Sequence, residues 1–493
     1  MIIHPSFVEF ERLTRDHSVV PVWGEIPADL ETPVSAFLKM RKGNYNFLLE
    51  SVEQEEKMGR YTFLGTDPEE IVFARGGRLT VVNTRTGEKE TVTEEDPLAA
   101  VERRYAHYFH PPVAGLPELT GGLIGYLSYD YVRVLERLPL RTKDDLDAPD
   151  FFFMLARNIA VFDHFKRRLL LIANAIEPAA DPKAAYERSL AAIETMRASL
   201  AKSLFIVQPV RSSTNEAPHG DVTRQEYTAA VVRAKEYVRA GDIIQVVLSQ
   251  RWRKRFEGDP FNVYRALRSV NPSPYMFYLE TGDFKLIGSS PEILVRLQGR
   301  TATVRPIAGT RPRGKNDAGE LAMERELLND AKERAEHVML VDLGRNDLGR
   351  VCAAGSITVT ELMGIEKYSH VMHLVSNVEG RLKTGKNAFD LLRATFPAGT
   401  VTGAPKIRAM EIIEEQESLR RGPYAGAVGY FSFQRTMDFC ITIRTLFARG
   451  HTIYAQAGAG IVADSVPERE YTETVNKAAG LMEALKRAEE MAA

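Results

Sequence analysis

A chain of 493 residues, 44% hydrophobic and 26% charged, has the apolar material for a large core, in two domains or one intertwined body. Its 64 basic and 66 acidic residues leave a formal charge of −2, which excludes a global attraction to nucleic acid or anionic membrane. The two cysteines, Cys352 and Cys440, lack metal-like spacing, exclude a disulfide framework and are expected to pack in a protein of the reducing cytoplasm.

The opening MIIHPSFVEFERL has no cationic n-region and carries Glu9 and Glu11, so no signal peptide is expected. YNFLLES, IVFARGGRLTVVNTRTG and NIAVFDHFKRRLLLIANAI then read as strands punctuated by Gly, Asn and Asp. The apolar run Leu169–Ile176 falls short of the roughly 18 residues that suggest a membrane span. A helix is expected over Pro182–Leu200, followed by the polar, turn-rich stretch Gln208–Arg224. The chain is therefore divided into residues 1–207, a linker at 208–220, and residues 221–493.

From Asp221 a capped helix runs to Gly241. Strands are expected at Ile243–Arg253, Met276–Glu280, Phe284–Gly288, Ile293–Leu297, Thr301–Arg305, Ala427–Phe433, Phe439–Arg449 and Thr452–Ala457. Short connectors such as ARGHTI favour antiparallel hairpins, so the fold class is α+β, with large antiparallel sheets backed by helices.

Two nucleotide-like motifs fail on context. Gly458-Ala-Gly460-Ile-Val-Ala463 fits G-x-G-x-x-A, but Pro467 starts the next helix too late and no second strand fits before Ala493. Gly380 to Asn387 departs from a Walker A loop at one residue, with Asn387 where a hydroxyl would hold magnesium, so a charged turn is expected.

The segment AGELAMERELLNDAKERAEHVMLVDL reads as one long helix with an apolar stripe of Leu328, Ala331, Ala335 and Val338. Glu333 and Glu336 lie three apart on its other face. The final helix repeats this, with Tyr471, Val475, Ala478, Met482 and Leu485 as core and Glu470, Glu473 and Lys477 on one flank. Facing E-x-x-E pairs would suit a hard cation, magnesium rather than zinc. Arg444, in the apolar run FCITIRTLF, needs an anionic partner, and Gly458 and Gly460 let backbone approach a ligand. The turn Gly399–Lys406 offers backbone donors, and His373 is a candidate acid or base.

Together, IQVVLSQR, NPSPYMFYL, GSSPEILV, RPIAGTRPRG, ERAEHVMLVDLGRNDLGRV, YSHVMHLVS, GTVTGAPKIRAMEII, YAGAVGY, IRT and QAGAGIVADSVPEREYTETVNKA resemble the chorismate-utilising enzymes, within them the anthranilate synthase component I family. The resemblance covers about Asp221–Leu485. It implies two antiparallel sheets packed as a sandwich with helices outside. It also implies Mg²⁺ between Glu333/Glu336 and Glu470/Glu473, with Glu336 and Glu473 as direct ligands. Tyr424, Arg444, Thr400 and backbone at Gly458 and Gly460 would hold the enolpyruvyl side of chorismate. Gly309 and Thr310 would line the ring, and Lys477 would support a carboxylate.

By the same resemblance, ammonia adds at C2 as the C4 hydroxyl leaves, and loss of pyruvate yields anthranilate. His373, assisting departure of the hydroxyl, and Glu292 are the acid/base candidates, and Thr400 is a further catalytic candidate. Aminodeoxychorismate synthases carry P-I-K-G-T, whose lysine attacks the ring; Ala308 stands there and cannot. The N-terminal segment with NPSPYM resembles a tryptophan feedback site, implying that Glu50, Ser51, Pro274, Tyr275 and Met276 bind L-tryptophan. Without a G-x-C-x-G-like elbow the chain cannot hydrolyse glutamine, so a glutamine amidotransferase subunit is expected, in a heterotetramer. The competing readings are aminodeoxychorismate synthase, isochorismate or salicylate synthase, and a non-catalytic amino-acid sensor.

Overall fold

In the computed structural model, which describes residues 1–51, 59–204, 217–367 and 371–491, apolar runs become strands covered on both faces. Gly122–Leu127 (GLIGYL) and Phe151–Ala156 (FFFMLA) are buried along their whole length and pair with each other. Their approach needs glycine at 125, where a Cβ would lie 1.9 Å from the Phe152 carbonyl oxygen.

The fold is α+β. A 13-stranded and a 12-stranded antiparallel sheet pack face to face. Phe47, Phe277, Leu279 and Leu286 of the first sheet meet Ile124, Tyr126 and Met154 of the second between them. Outside, helices Pro33–Met40, Pro182–Leu200, Pro260–Val270 and Pro467–Met491 cover the first sheet. Pro97–Tyr105, Ala331–Val351 and Ala388–Thr395 cover the second. Among the described residues, no helix is long and apolar enough to cross a membrane.

Strands from both sides of the expected linker share both sheets. Tyr45–Glu50 pairs with Tyr275–Thr281, and Gly122–Leu127 with Ala427–Ser432. Residues up to 204 and from 221 thus interleave in one body, and residues 208–216 of the expected linker lie outside the described residues.

The structure corrects three local expectations. The long helix is two, Asp317–Asn329 and Ala331–Val351, because the Asp330 side chain accepts from the Lys332 and Glu333 amides and caps a new start. Its expected stripe, Leu328, Ala331, Ala335 and Val338, is exposed; His337, Leu340, Val341, Gly344 and Leu348 are buried instead. On the final helix the buried face runs through Glu470, Thr474, Ala478, Leu481 and Leu485, leaving Val475 exposed.

The third concerns Phe439–Arg449, which is not one strand. Met437–Ile441 belongs to the second sheet and Thr445–Arg449 to the first. Arg444 sits at the crossing, with φ 49°. Beside it, Phe284–Ser290 in the first sheet gives way to Ile293–Gln298 in the second, with Glu292 at that crossing. The crossings bond to each other: Ile441 N–H donates to the Glu292 carbonyl at 3.0 Å and Ser289 N–H to the Arg444 carbonyl at 3.1 Å.

Candidate active site

Where the chain switches sheets, side chains leave the alternating pattern of a strand and can point into the gap between layers. Burial there pushes the Glu292 carboxyl up to about 8, against the opposing influence of the Thr400 hydroxyl and the Lys477 charge. Glu292 is therefore a neutral acid near pH 7. Thr400 stands close to it without a well-formed hydrogen bond.

His373 lies on strand Val371–Arg381, opposite Thr310 on strand Ile307–Pro312. Its Nδ1 is 2.8 Å from the Gly309 carbonyl, which can only accept a hydrogen bond, so the neutral ring carries its proton on Nδ1 and its lone pair on Nε2. Thr310 Oγ1 is 3.2 Å from the same nitrogen. Burial lowers the His373 pKa, as do the cations Arg444 and Lys477, so the ring is neutral at pH 7. The bulge between Ala308 and Thr310 puts Gly309 at φ 64°, where a Cβ would meet Leu327 at 2.9 Å and Glu333 Oε2 at 3.2 Å.

Gly458 and Gly460 lie inside strand Thr452–Ile461, which runs four residues beyond the expected Ala457, rather than in a turn after it. No strand follows the helix that starts at Pro467 among the described residues, so the dinucleotide reading stays excluded. The Walker-like turn is likewise only a turn, with Asn387 capping helix Ala388–Thr395.

A Cβ on Gly458 would sit 2.8 Å from the Tyr424 hydroxyl and 2.9 Å from the Leu248 carbonyl; on Gly460, 2.3 Å from Gln245 Nε2. Gly458→Ala should therefore cost about 1–3 kcal/mol in urea unfolding. Gly460→Ala, whose conflict is with the end of a flexible side chain, should cost less and instead displace Gln245.

Half-buried Arg444 donates to the Lys477 backbone carbonyl at 2.6 Å and makes no ion pair among the described residues. Burial lowers its pKa. Lys477 Nζ donates to the Gly458 carbonyl at 3.0 Å and pairs with Glu473 at 2.7 Å. Tyr424 is pushed up to about 12 by burial, against the nearby Arg421 and Arg444.

Of the four expected metal carboxylates, Glu336 lines a large cleft, and the others act on it or on one another through their charge. Burial raises Glu336, helped by Glu333 and by Glu473 across the gap, while burial and Glu473 raise Glu470. Like charges held together in this way favour a cation between them. They do not converge: Glu333 pairs with Arg311 at 3.2 Å, Glu473 with Lys477, and no group of three or more ligands gathers among the described residues. The donor set fits a hard cation shared by the two helices, but not a closed cage.

Gln245 was not singled out from the sequence, although it is a polar residue within the apolar run IIQVVLS. Its Nε2 is 3.4 Å from Glu336 Oε1, and its Oε1 is buried without a partner. It stands at the inner end of a cleft of about 1,660 Å³ that is also lined by Ile244, Ala335, Glu336, Val338 and Ile407. That exceeds the few hundred Å³ a small substrate needs.

The residues expected to bind tryptophan are brought together only in part. Glu50 and Met276 face each other across paired strands. The Tyr264 hydroxyl and Arg268 hold the Glu50 carboxylate, with Arg268 Nε at 2.8 Å. Pro274 is buried on the same strand entry. Tyr275 turns the other way, donating to Asp438 Oδ1 at 3.0 Å. Ser51 borders residues 52–58, which lie outside the described residues.

Residues 44–483 match the family model described as chorismate binding enzyme. The chain is 43% identical to anthranilate synthase component 1 of Acetivibrio thermocellus, over 99% of this chain and 100% of that one. It is 45% identical to the Aquifex aeolicus protein of the same name, over 99% of each. Among solved structures it is similar to anthranilate synthase component I from Streptococcus pneumoniae TIGR4, with a TM-score of 0.75 and 36% identity over 92% of this chain and 98% of that one. The menaquinone-specific isochorismate synthase of Escherichia coli, 20% identical with a TM-score of 0.71 over 97% and 100%, shares the fold.

Proposed function

Because the chain belongs to the chorismate-binding enzyme family, we propose that it converts chorismate and ammonia to anthranilate and pyruvate, as the large subunit of an anthranilate synthase in tryptophan biosynthesis. One arrangement carries this reading: the half-buried cations Arg444 and Lys477 converge with a protonated carboxyl and a neutral imidazole where the chain changes sheets. Such a pocket attracts a dianion and offers it both a proton donor and a proton acceptor.

Arg444, Lys477 and Tyr424 hold the enolpyruvyl carboxylate, with backbone at Gly458 and Gly460 allowing close approach. The ring lies over Gly309 and Thr310. Glu292, protonated and beside Thr400, gives its proton to the C4 hydroxyl as that group leaves. Nε2 of His373, fixed by the Nδ1–H bond to Gly309, takes a proton as the ring aromatises. The unpartnered Gln245 oxygen accepts a hydrogen bond from incoming ammonia. Ala308 offers no nucleophile, which favours direct attack by ammonia over a covalent lysine route.

Glu336 and Glu473, supported by Glu333 and Glu470, are the residues that would hold Mg²⁺. When bound, the ion would neutralise a substrate carboxylate. A glutaminase subunit would seat on the exposed Ile244, Val338 and Ile407 around the cleft mouth and deliver ammonia there, in the cytoplasm. The purified chain should form fluorescent anthranilate from chorismate, Mg²⁺ and ammonium, yet none with glutamine alone. Fluorescence from glutamine without a partner would refute the division of labour.

L-Tryptophan would bind around Glu50, Ser51, Pro274, Tyr275 and Met276. A route to the substrate runs through Ser289: its hydroxyl donates to the Asn271 carbonyl and lies 2.9 Å from Ser273 Oγ, while its N–H bonds the Arg444 carbonyl. Ser51→Ala with Met276→Ala should raise the tryptophan concentration for half inhibition about tenfold or more. Unchanged inhibition would move the effector elsewhere.

A further inference from the structure

A second cavity, of about 540 Å³, lies on the outer side of the second sheet, at the end of hairpin Ala427–Ser432/Met437–Ile441. It is separate from the cleft and from the tryptophan residues. The volume is that of an ordinary small-molecule site. Tyr105, Tyr108, Phe389, Phe431 and Phe433 wall it, with Phe389 and Phe431 stacked at 4.2 Å between ring centroids.

Two features make it more than an apolar gap. Thr436 lines it and is 7% exposed, and its hydroxyl has no hydrogen-bond partner. A buried hydroxyl left unmade costs free energy that a ligand acceptor would recover. The charge is also one-sided: Arg300, Lys386 and Arg435 line the cavity and no Asp or Glu does. Lys386 is paired with Asp390, but Arg300 and Arg435 form no ion pair among the described residues. Arg435 is instead held over the Phe109 ring, at 4.2 Å from its centroid, at the left-handed hairpin position with φ 59°.

We propose that this cavity is a binding site for a small aromatic carboxylate. The ring enters among the phenylalanines and tyrosines, one carboxylate oxygen accepts from Thr436, and the two arginines face the charge. The site does not depend on the reaction assigned to the cleft.

The test is calorimetric titration of the whole protein with naphthalene-2-carboxylate and with the uncharged naphthalen-2-ylmethanol. Wild type should bind the carboxylate at one site and the alcohol about tenfold more weakly. Arg300→Glu with Arg435→Glu should weaken the carboxylate about tenfold, each exposed charge contributing modestly. Ala106→Trp, which fills the cavity from its exposed rim, should abolish binding. Thr436→Val should weaken binding about fivefold with an unchanged or higher Tm, since the hydroxyl it removes holds nothing in the free protein. No heat of binding at millimolar ligand, equal affinity for acid and alcohol, or affinities that ignore these variants would overturn the proposal.

Discussion

Glu336→Gln should lower kcat/KM for chorismate by at least about 100-fold and abolish the response to added Mg²⁺. Glutamine keeps the shape and the contact with Gln245 but removes the charge. Glu336 is already raised by burial and by Glu333 and Glu473, so it is the carboxylate most in need of a cation. Glu473→Gln should have a comparable effect, although its removal also releases Lys477. Glu333 is already paired with Arg311, and its loss should be milder. Thermal melts with and without Mg²⁺ separate metal binding from catalysis: wild type gains stability from the ion and Glu336→Gln gains none. A Glu336→Gln enzyme with full activity and normal Mg²⁺ dependence would refute the assignment.

The second large effect belongs to Glu292. Its carboxyl, raised to about 8 by burial, is protonated at pH 7 and loses its proton as pH climbs through that value. The rate should therefore fall on the alkaline side with an apparent pKa near 8. Glu292→Gln should lose about 10²–10⁴-fold in kcat together with that limb of the profile.

Stability should also fall as pH rises, and Glu292→Gln should restore it while losing activity. The folded carboxyl keeps its proton up to about 8 while the unfolded one releases it near the ordinary value of 4.5, so the folded state is favoured at low pH and loses that advantage as pH rises between the two. Glu292→Gln removes this penalty and should unfold at higher urea than wild type at pH 8. A variant both inactive and less stable at pH 8 would mean that the carboxylate is ionised and structurally paired.

Contiguous features were legible in the sequence. The E-x-x-E pairs, the spaced glycines and the turn before Lys406 are local patterns, and the hairpin connectors gave the antiparallel sheets. Arg444, His373 and Lys477 stood out locally and gained their roles, with Glu292, from family resemblance; the structure brings the four into one field of mutual influence.

What stayed hidden was tertiary. FCITIRTLF reads as one apolar strand because nothing in its periodicity marks a passage from one sheet to the other, yet that passage places Arg444. Asp330 resembled one more surface acid on a helix until its side chain was seen capping the next one. The stripe from Leu328 to Val338 has the spacing of a core face, and spacing alone cannot tell a core from the mouth of a cleft. Gln245 gave a faint signal, a polar side chain among apolar neighbours, whose meaning depends on what stands opposite.

The most direct measurement is product analysis of the purified chain with chorismate, Mg²⁺ and ammonium. Anthranilate and pyruvate should appear in equal amounts, with neither formed when the divalent cation is chelated. An aminated ring that keeps its pyruvyl ether, or isochorismate in place of anthranilate, would contradict the account.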